Sequence, residues 1–408
     1  MAGNAIKKII NYIQTNKYKI WIFLVKNKYL LLILLLASFV RLWGLFEPFG
    51  KIWETSFQAY IAKNHYTHGL LYNHFASVIG YNSDGPIYHL SHPPLLQIII
   101  YIYYLIFGLY DWVAKLVPIT FSLVSLLLLY LIVIKVWKNK KMALYASFIF
   151  ALMPMASHFG KVVNFEVPTL FFSLLYFYCY LNLDKKNAKW PLVLLFVSAF
   201  CGSLLDWPFY FMIVAVFLHS FFKKKNRKII LISTCFSAII FLSFILYIDT
   251  LGYKFNLMFN KFKSRGRASV ICEISFYKTI AHRIYSYFNI TALFVLASIV
   301  AFFSNKKIRK FIQNLDIVLL LLFQPIIYSI LFLQSVSMHA WHLYYFVPIV
   351  CIVTGIFLEK LSKRINFWYK PLLFALLSVF VLMSVNILYK YNIAYFEPFN
   401  YKLGSISK

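Results

Sequence analysis

The chain has 408 residues, of which 62% are hydrophobic and 13% are charged, and its 41 Lys and Arg residues outnumber its 12 Asp and Glu residues to give a formal net charge of +29. A soluble domain needs a mostly polar surface and cannot bury so many apolar residues, so the composition predicts an integral membrane protein. Most of the basic residues lie in short runs between long apolar segments, which is the pattern of a membrane topology signal and argues against nucleic-acid binding.

A membrane-spanning helix needs about 20 apolar residues, and the chain contains twelve apolar segments of approximately suitable length. The five cysteines are scattered without a CxxC pair, so neither a disulfide framework nor a cysteine metal site is predicted. The segments lie at about 29–46, 93–108, 113–134, 142–157, 167–183, 190–205, 208–222, 229–248, 288–303, 314–334, 343–358 and 371–389.

Six basic runs, which together hold 26 of the 41 Lys and Arg residues, are expected on the cytoplasmic side. Between Lys28 and Lys135 the chain must then cross an even number of times, although it holds three apolar segments. Segment 93–108 is the shortest of the three and is rich in Tyr, so we predict that it lies at the outer membrane surface. The prediction is an all-α protein with about eleven transmembrane helices, a cytoplasmic N-terminus and an outer C-terminus.

This topology divides the chain into a basic cytoplasmic segment 1–28, a transmembrane domain 29–389 and a short outer tail 390–408. It places long outer loops at 47–112 and 249–287, both with interfacial helices. Nine of the twelve acids and nine of the ten histidines fall on the outer side or at its boundary. Any acid–base site should therefore face outward.

Three carboxylates accompany predicted helix starts on this side. Glu54 lies beside a short amphipathic helix, Glu166 precedes Pro168, and Asp206 precedes Trp207-Pro208. A carboxylate at a helix N-terminus stays ionised and able to act as a base, although a plain capping role is the simpler interpretation of each one alone.

The outer loop 249–287 is unusual because it carries several positive charges where few are expected. One interpretation is that these charges are a tolerated exception to the positive-inside rule, since long loops translocate regardless of charge. The other is that they form a positively charged wall that binds a phosphate at the membrane surface. They are Lys254, Lys261, Lys263, Arg265, Arg267, Lys278 and Arg283. Paired histidines at His65/His68 and His339/His342 lack the spacing of a dedicated zinc site and favour hydrogen-bonding roles.

Six short motifs in order resemble those of the GT-C membrane glycosyltransferases, in the group that contains the protein O-mannosyltransferases and the lipid A aminoarabinose transferase (glycosyltransferase family 39). The matching stretches are Trp53-Glu54 running into Ile61-Ala62-Lys63-Asn64, His92-Pro93-Pro94-Leu95, Ala114-Lys115-Leu116-Val117-Pro118, Gly160 to Pro168, Leu205-Asp206-Trp207-Pro208, and His339 with Tyr344-Tyr345 before Pro348.

The resemblance implies a GT-C fold and a sugar donor carried on a polyprenyl monophosphate, used on the outer face of a prokaryotic cell membrane. The acceptor, which could be a lipid, a glycan or a protein, is not identified. We expect an inverting transfer in which an acceptor hydroxyl attacks the anomeric carbon and the lipid phosphate leaves. A lipid-linked sugar flippase or other transporter, and a catalytically silent assembly subunit, remain alternatives.

Each candidate residue then receives an expected role. Glu54 is the candidate general base, or its orienting partner, and Glu166 positions the acceptor or the base. Asp206 and His339 support the site. A divalent cation held by Glu54 and Glu166 is compatible with the reaction but not required. The residues expected to stabilise the departing phosphate are His92, Lys161, Arg265 and Arg267.

Overall fold

The computed structural model describes residues 27–47, 49, 53–184, 188–253, 255–304, 314–364 and 370–395. Most of the predicted cytoplasmic segment 1–28 and most of the predicted tail 390–408 lie outside these residues. The backbone of Glu54 is described, but its side chain is outside the described part.

All twelve apolar segments predicted from the sequence are helical, with ends within a few residues of those expected. Segment 142–157 is divided between two helices, because the first ends at Leu152 and a five-residue helix follows from Pro154. The twelve segments correspond to α1 Lys28–Leu42, α3 Leu95–Phe107, α4 Asp111–Trp137, α5 Lys140–Leu152 with α6 Pro154–His158, α7 Glu166–Asn182, α8 Lys189–Ser203, α9 Pro208–Phe222, α10 Arg227–Thr250, α13 Ile290–Ser304, α14 Leu315–Leu331, α16 Val347–Arg364 and α17 Lys370–Tyr395.

The outer loops contain the remaining helices. The first loop holds α2, Trp53–His68, which ends where Gly69 adopts a positive φ of 91°, a conformation that suits glycine. The loop 249–287 holds α11, Phe255–Arg265, and α12, Ile274–Arg283, and a short α15, Leu333–Met338, precedes the last outer turn. Helices in both long outer loops were predicted, and their position at a membrane surface stays a prediction.

The described residues are mostly helical, as predicted, but they include one strand pair that was not predicted. Residues Val78–Asn82 (β1) pair antiparallel with Gly85–Tyr88 (β2) in a two-stranded hairpin within the first outer loop. The side chain of Asn64 on α2 donates to the carbonyl oxygen of Val78 at 2.8 Å, so the hairpin is tied to the helix. Isolated hairpins are marginally stable, and this anchorage explains how a short one forms here.

Three helical stretches in the described part are long and apolar enough to cross a membrane: α4, α10, and the stretch from Ala340 to Lys363. Two bent pairs, Lys140–Lys161 with a 64° bend and Ile274–Val300 with a 103° bend, would bring the number to five if each were one span. Eleven spans therefore remain a prediction. Helix α3 has 13 residues, or about 20 Å, against about 30 Å of hydrocarbon.

A continuous hydrophobic core joins the helices into one bundle. Helix α4 packs against α5 and α7, α16 packs against α5, α7 packs against α8, and α9 packs against α14. The loops that carry the candidate acids thus emerge from helices that contact one another.

The break between α5 and α6 is organised around Arg41, whose side chain is fully buried. Its Nε donates to Ser122 Oγ at 2.8 Å, and its terminal nitrogens donate to the carbonyl oxygens of Ala37, Phe150, Ala151 and Ala156 at 3.1 to 3.2 Å. Carbonyl groups at a helix end lack partners and carry partial negative charge, so they stabilise this cation without a carboxylate.

Gly160 lies against the same network and leaves no room for a side chain. A Cβ atom at this position would be 2.5 Å from Ser122 Oγ and 3.1 Å from Arg41 Nε. The glycine of the 160–168 motif is therefore required for packing. It allows the loop that ends at Glu166 to lie close to the C-terminal end of α1.

Candidate active site

A cavity of about 870 Å³ opens between the predicted outer loops. The loops before α3, α7 and α9, helix α11, and the turn after α15 all contribute to its lining. Most of the wall is apolar or aromatic, with a small set of polar groups, which is the usual composition of a ligand site. The acidic and basic side chains among its lining residues are Glu166, Asp206, His89, His92, Lys261, Arg265, His339 and His342.

Asp206 and His92 form the first polar pair of the cavity. The Asp206 Oδ1 atom lies 3.0 Å from His92 Nδ1 and also accepts a hydrogen bond from the backbone N–H of Trp207 at 2.8 Å. The His92 ring stacks on Phe165, with ring centroids 4.8 Å apart. Residues 114 positions apart in sequence are thereby joined beside the start of α7.

The loop before α3 is fixed to the loop before α9 by two further contacts. The backbone N–H of Leu95 donates to the carbonyl of Leu204 at 3.1 Å, and Trp207 Nε1 donates to the carbonyl of Ser91 at 3.1 Å. The histidine motif and the aspartate motif predicted from the sequence therefore act as one structural unit.

Glu166 and His342 form the second polar pair, and both side chains are buried. The Glu166 Oε1 atom lies 3.2 Å from His342 Nδ1, and the hydroxyl of Tyr328 on α14 lies 2.6 Å from the same nitrogen. Helix α7, helix α14 and the turn after α15 meet at these three side chains.

Glu166 immediately precedes the predicted membrane segment 167–183. Burial and the nearby Asp206 carboxylate raise its pKa to about 8, against the opposing effects of its own backbone N–H, His92 and Arg265. A buried carboxyl disfavours its charged form. Burial therefore favours the neutral form of Glu166, whereas the sequence suggested an ionised carboxylate at the end of a helix dipole.

Two cations of the unusually basic outer loop lie on the cavity wall, namely Lys261 and Arg265 of α11. Burial lowers the pKa of His89 to about 4, and Lys261, His92 and Arg265 lower it further. Burial likewise lowers the pKa of His339 to about 4, with contributions from His342, Arg265 and Arg283. His89 and His339 are therefore neutral, and Lys261 and Arg265 bring positive charge to the cavity from α11.

The other predicted phosphate ligands lie elsewhere. The Lys161 Nζ atom donates to the carbonyl of Trp43 at 2.9 Å, and Lys161 does not belong to the cavity lining. Arg267 is exposed beyond the end of α11 and is also absent from the lining. His92, Glu166, Asp206, Arg265 and His339 do line the cavity, so the structure brings five of the eight candidates together.

Sequence reasoning passed over Tyr328, Trp341 and His342 as site residues. Trp341 lines the cavity and stacks on His339, with centroids 4.5 Å apart. A signal for His342 was present, since it is three residues from His339 in the same motif. Tyr328 gave none, because it lies within an apolar segment whose inward face only packing defines.

Among the residues that the structure describes, no group of three or more His, Cys, Asp or Glu side chains could hold a metal ion. Because the Glu54 side chain is outside that set, the suggested cation between Glu54 and Glu166 stays a hypothesis.

Comparison with known proteins adds to this geometry. The sequence profile of the dolichyl-phosphate-mannose-protein mannosyltransferase family matches residues 91–252, which include the motifs around His92, Glu166 and Asp206. None of the curated proteins matches the sequence.

Solved structures give the fold. The structure is similar to that of ArnT from Cupriavidus metallidurans bound to undecaprenyl phosphate, with a TM-score of 0.64 and 12% identity over 91% of this chain and 77% of that one. The chain has the GT-C fold. The resemblance to GT-C membrane glycosyltransferases read from the six motifs is thus confirmed.

A second GT-C structure agrees with this conclusion. It is the archaeal oligosaccharyltransferase AglB from Archaeoglobus fulgidus, in complex with an inhibitory peptide and a dolichol-phosphate. The TM-score is 0.59 and the identity is 13%, over 91% of this chain and 56% of AglB. This GT-C chain therefore spans little more than half the length of AglB.

Proposed function

We propose that the protein is an inverting glycosyltransferase that moves a sugar from a polyprenyl-monophosphate donor to an acceptor hydroxyl on the outer face of a prokaryotic cell membrane. The observation that carries the proposal is the cavity in which the acid–histidine pairs of Asp206 and Glu166 face the cations of α11. Such a site can position a hydroxyl and stabilise a departing phosphate at the same time.

In this reaction the acceptor oxygen forms a bond to the anomeric carbon as the bond from that carbon to the phosphate oxygen breaks. Glu54 takes the hydroxyl proton, and the lipid phosphate leaves with the electron pair. His92 and Arg265 stabilise its negative charge within the cavity. Asp206 orients His92, and His339 supports the wall beside Trp341. The chemistry requires no metal.

The similar structures support the lipid part of the proposal, because that of ArnT is bound to undecaprenyl phosphate and that of AglB is in complex with a dolichol-phosphate. The matching family is described by a dolichyl-phosphate-linked mannose donor. A polyprenyl-phosphate sugar is accordingly the donor class to assay first.

Arg265→Ala should raise the KM for the lipid-linked donor about tenfold or more with a smaller effect on the acceptor KM, because one charge-assisted hydrogen bond to phosphate is lost. The assay uses membranes containing the protein, a labelled polyprenyl-phosphate sugar and a pool of acceptors. Lys263→Ala is the matched control, since Lys263 is an exposed cation on the same helix outside the cavity lining. Equal effects of both variants would contradict a specific phosphate contact.

The proposed orientation predicts which surface residues an impermeant thiol reagent reaches. In a Cys272→Ser background, chosen because Cys272 is exposed in the loop 249–287, Asp84→Cys should react in intact cells and Lys228→Cys only after permeabilisation. Asp84 and Lys228 are both exposed on the protein, so burial does not decide the result. The reverse labelling pattern would invert the topology.

A transporter would move the labelled donor across the membrane without forming a glycosidic bond. Reconstituted vesicles separate the two functions, since a new glycoside in the product supports transfer and movement of intact donor alone supports transport.

A further inference from the structure

Helix α2 has a buried stripe that runs from Gln58 to His65. Gln58, Ile61, Ala62 and His65 are buried, at the spacing of three and four residues that places positions on one face of a helix. The same spacing places position 54 on this face, one turn of about 5.4 Å before Gln58. The position of the proposed base and Gln58 are therefore neighbours along one face of α2.

Gln58 lines the cavity and is held by a glutamine of a second helix. This partner is Gln97 on α3, which is 2% exposed and whose Nε2 atom donates to Gln58 Oε1 at 2.6 Å. A carboxamide has an acceptor oxygen and an NH2 donor group, and the bond to Gln97 uses one of these two groups of Gln58. Among the described residues, the other group has no hydrogen-bond partner.

The other polar side chains that the first outer loop contributes to the cavity lining already have partners. His89 Nε2 and Ser91 Oγ lie 2.8 Å apart, and His92 Nδ1 lies 3.0 Å from Asp206 Oδ1. Gln58 thus has hydrogen-bonding capacity that a ligand in the cavity can use.

A hydroxyl group is the ligand that suits this amide. A hydroxyl both donates and accepts a hydrogen bond, so it can pair with the remaining group of Gln58 in either orientation of the two amides. An uncharged amide also matches an uncharged ligand, whereas the proposed mechanism assigns the donor phosphate to Arg265 and His92. The hydroxyl-bearing substrate in that mechanism is the acceptor, whose proton is taken at position 54, one helical turn away.

We propose that Gln58 forms a hydrogen bond with a hydroxyl group of the acceptor and orients the acceptor beside position 54. Gln97 is a positioning residue, because it fixes the amide of Gln58 and is not itself part of the cavity lining. The inference rests on the proposed glycosyltransferase function and adds an acceptor contact to it.

Gln58→Met removes the amide and keeps nearly the same side-chain length. At saturating donor, kcat/KM for the acceptor should fall about three- to tenfold, the effect of one uncharged hydrogen bond, while the KM for the labelled polyprenyl-phosphate sugar should change less than about twofold. The measurement is transfer in membranes with the acceptor pool diluted in series. Thr67→Met is the control, since Thr67 is exposed on the same helix outside the cavity lining, and it should match the wild type.

The double variant Gln58→Met/Gln97→Met separates acceptor binding from packing. Gln58→Met alone leaves the buried Gln97 amide without its partner, so its Tm in detergent should fall, and replacing both amides by apolar side chains should recover most of that loss. The acceptor kcat/KM of the double variant should nevertheless stay as low as that of Gln58→Met, because Gln97 acts only through Gln58.

A double variant that recovers the acceptor kcat/KM together with the Tm would show that the two glutamines matter for packing alone, and would overturn the acceptor contact. An unchanged acceptor kcat/KM in Gln58→Met, or a rise in the donor KM as large as the fall for the acceptor, would overturn it as well. If Gln58→Met does not accumulate in membranes, the double variant provides the same comparison.

The wild-type protein distinguishes this inference from the proposed function. If the wild type forms no glycoside, the glycosyltransferase proposal fails and the contact that rests on it fails too. If the wild type transfers sugar and Gln58→Met does so equally well, the acceptor contact alone is wrong.

Discussion

Glu54→Gln is expected to reduce the rate of sugar transfer by about 10² to 10⁴-fold, the usual contribution of a general base. The amide keeps the size of the carboxyl group but cannot take the proton of the acceptor hydroxyl. The KM for the lipid-linked donor should change little, because the donor phosphate is bound by other residues. The measurement is transfer of a labelled sugar in membranes, at equal protein abundance.

Asp84→Asn is the matched control for this variant, since Asp84 is an exposed acid in the same outer loop, on the turn of the hairpin. It should retain full activity. Wild-type activity in Glu54→Gln would remove Glu54 from the reaction.

Arg41→Met is expected to destabilise the protein by about 3 kcal/mol or more, because a buried cation with five hydrogen bonds is replaced by an apolar side chain. The carbonyls at the break between α5 and α6 lose their donor, and the loop that leads to Glu166 loses its anchor. We therefore expect transfer activity to fall together with stability. The measurement is thermal unfolding in detergent.

Arg267→Met is the control for stability, because Arg267 is exposed, and it should change the free energy of unfolding by about 0.5 kcal/mol or less. An Arg41→Met variant as stable as the wild type would show that water or lipid satisfies the carbonyls at the break.

The positions of the helices were predictable from the sequence to a useful degree. Each of the twelve apolar segments is helical because a long apolar stretch with few Gly residues favours helix wherever its backbone polar groups must be satisfied internally. The hairpin at 78–88 was not predicted. Its strands have only five and four residues and each contains a glycine, and the contact from Asn64 that anchors the hairpin comes from outside the strand sequence.

The candidate site was predictable in part. Motifs located His92, Glu166, Asp206 and His339, and the structure places all four at one cavity. Lys161 was expected beside a phosphate, yet its ammonium group donates to the carbonyl of Trp43. The reason is that the close packing of Gly160 against Ser122 and Arg41 holds this part of the loop at the C-terminal end of α1.

The class of protein, the positions of the helices and the motifs that identify the fold can be derived from the amino-acid sequence alone, since apolar length, charge distribution and short motifs are local properties. The tertiary structure sets the partners, which are Asp206 with His92, Glu166 with His342, and Tyr328 with His342. Those contacts join residues up to 176 positions apart, and only the packing of α7, α9 and α14 fixes them. The protonation of Glu166 was decided at the same level, because burial and neighbouring charge, neither of which is a local property, set the pKa of a carboxyl group.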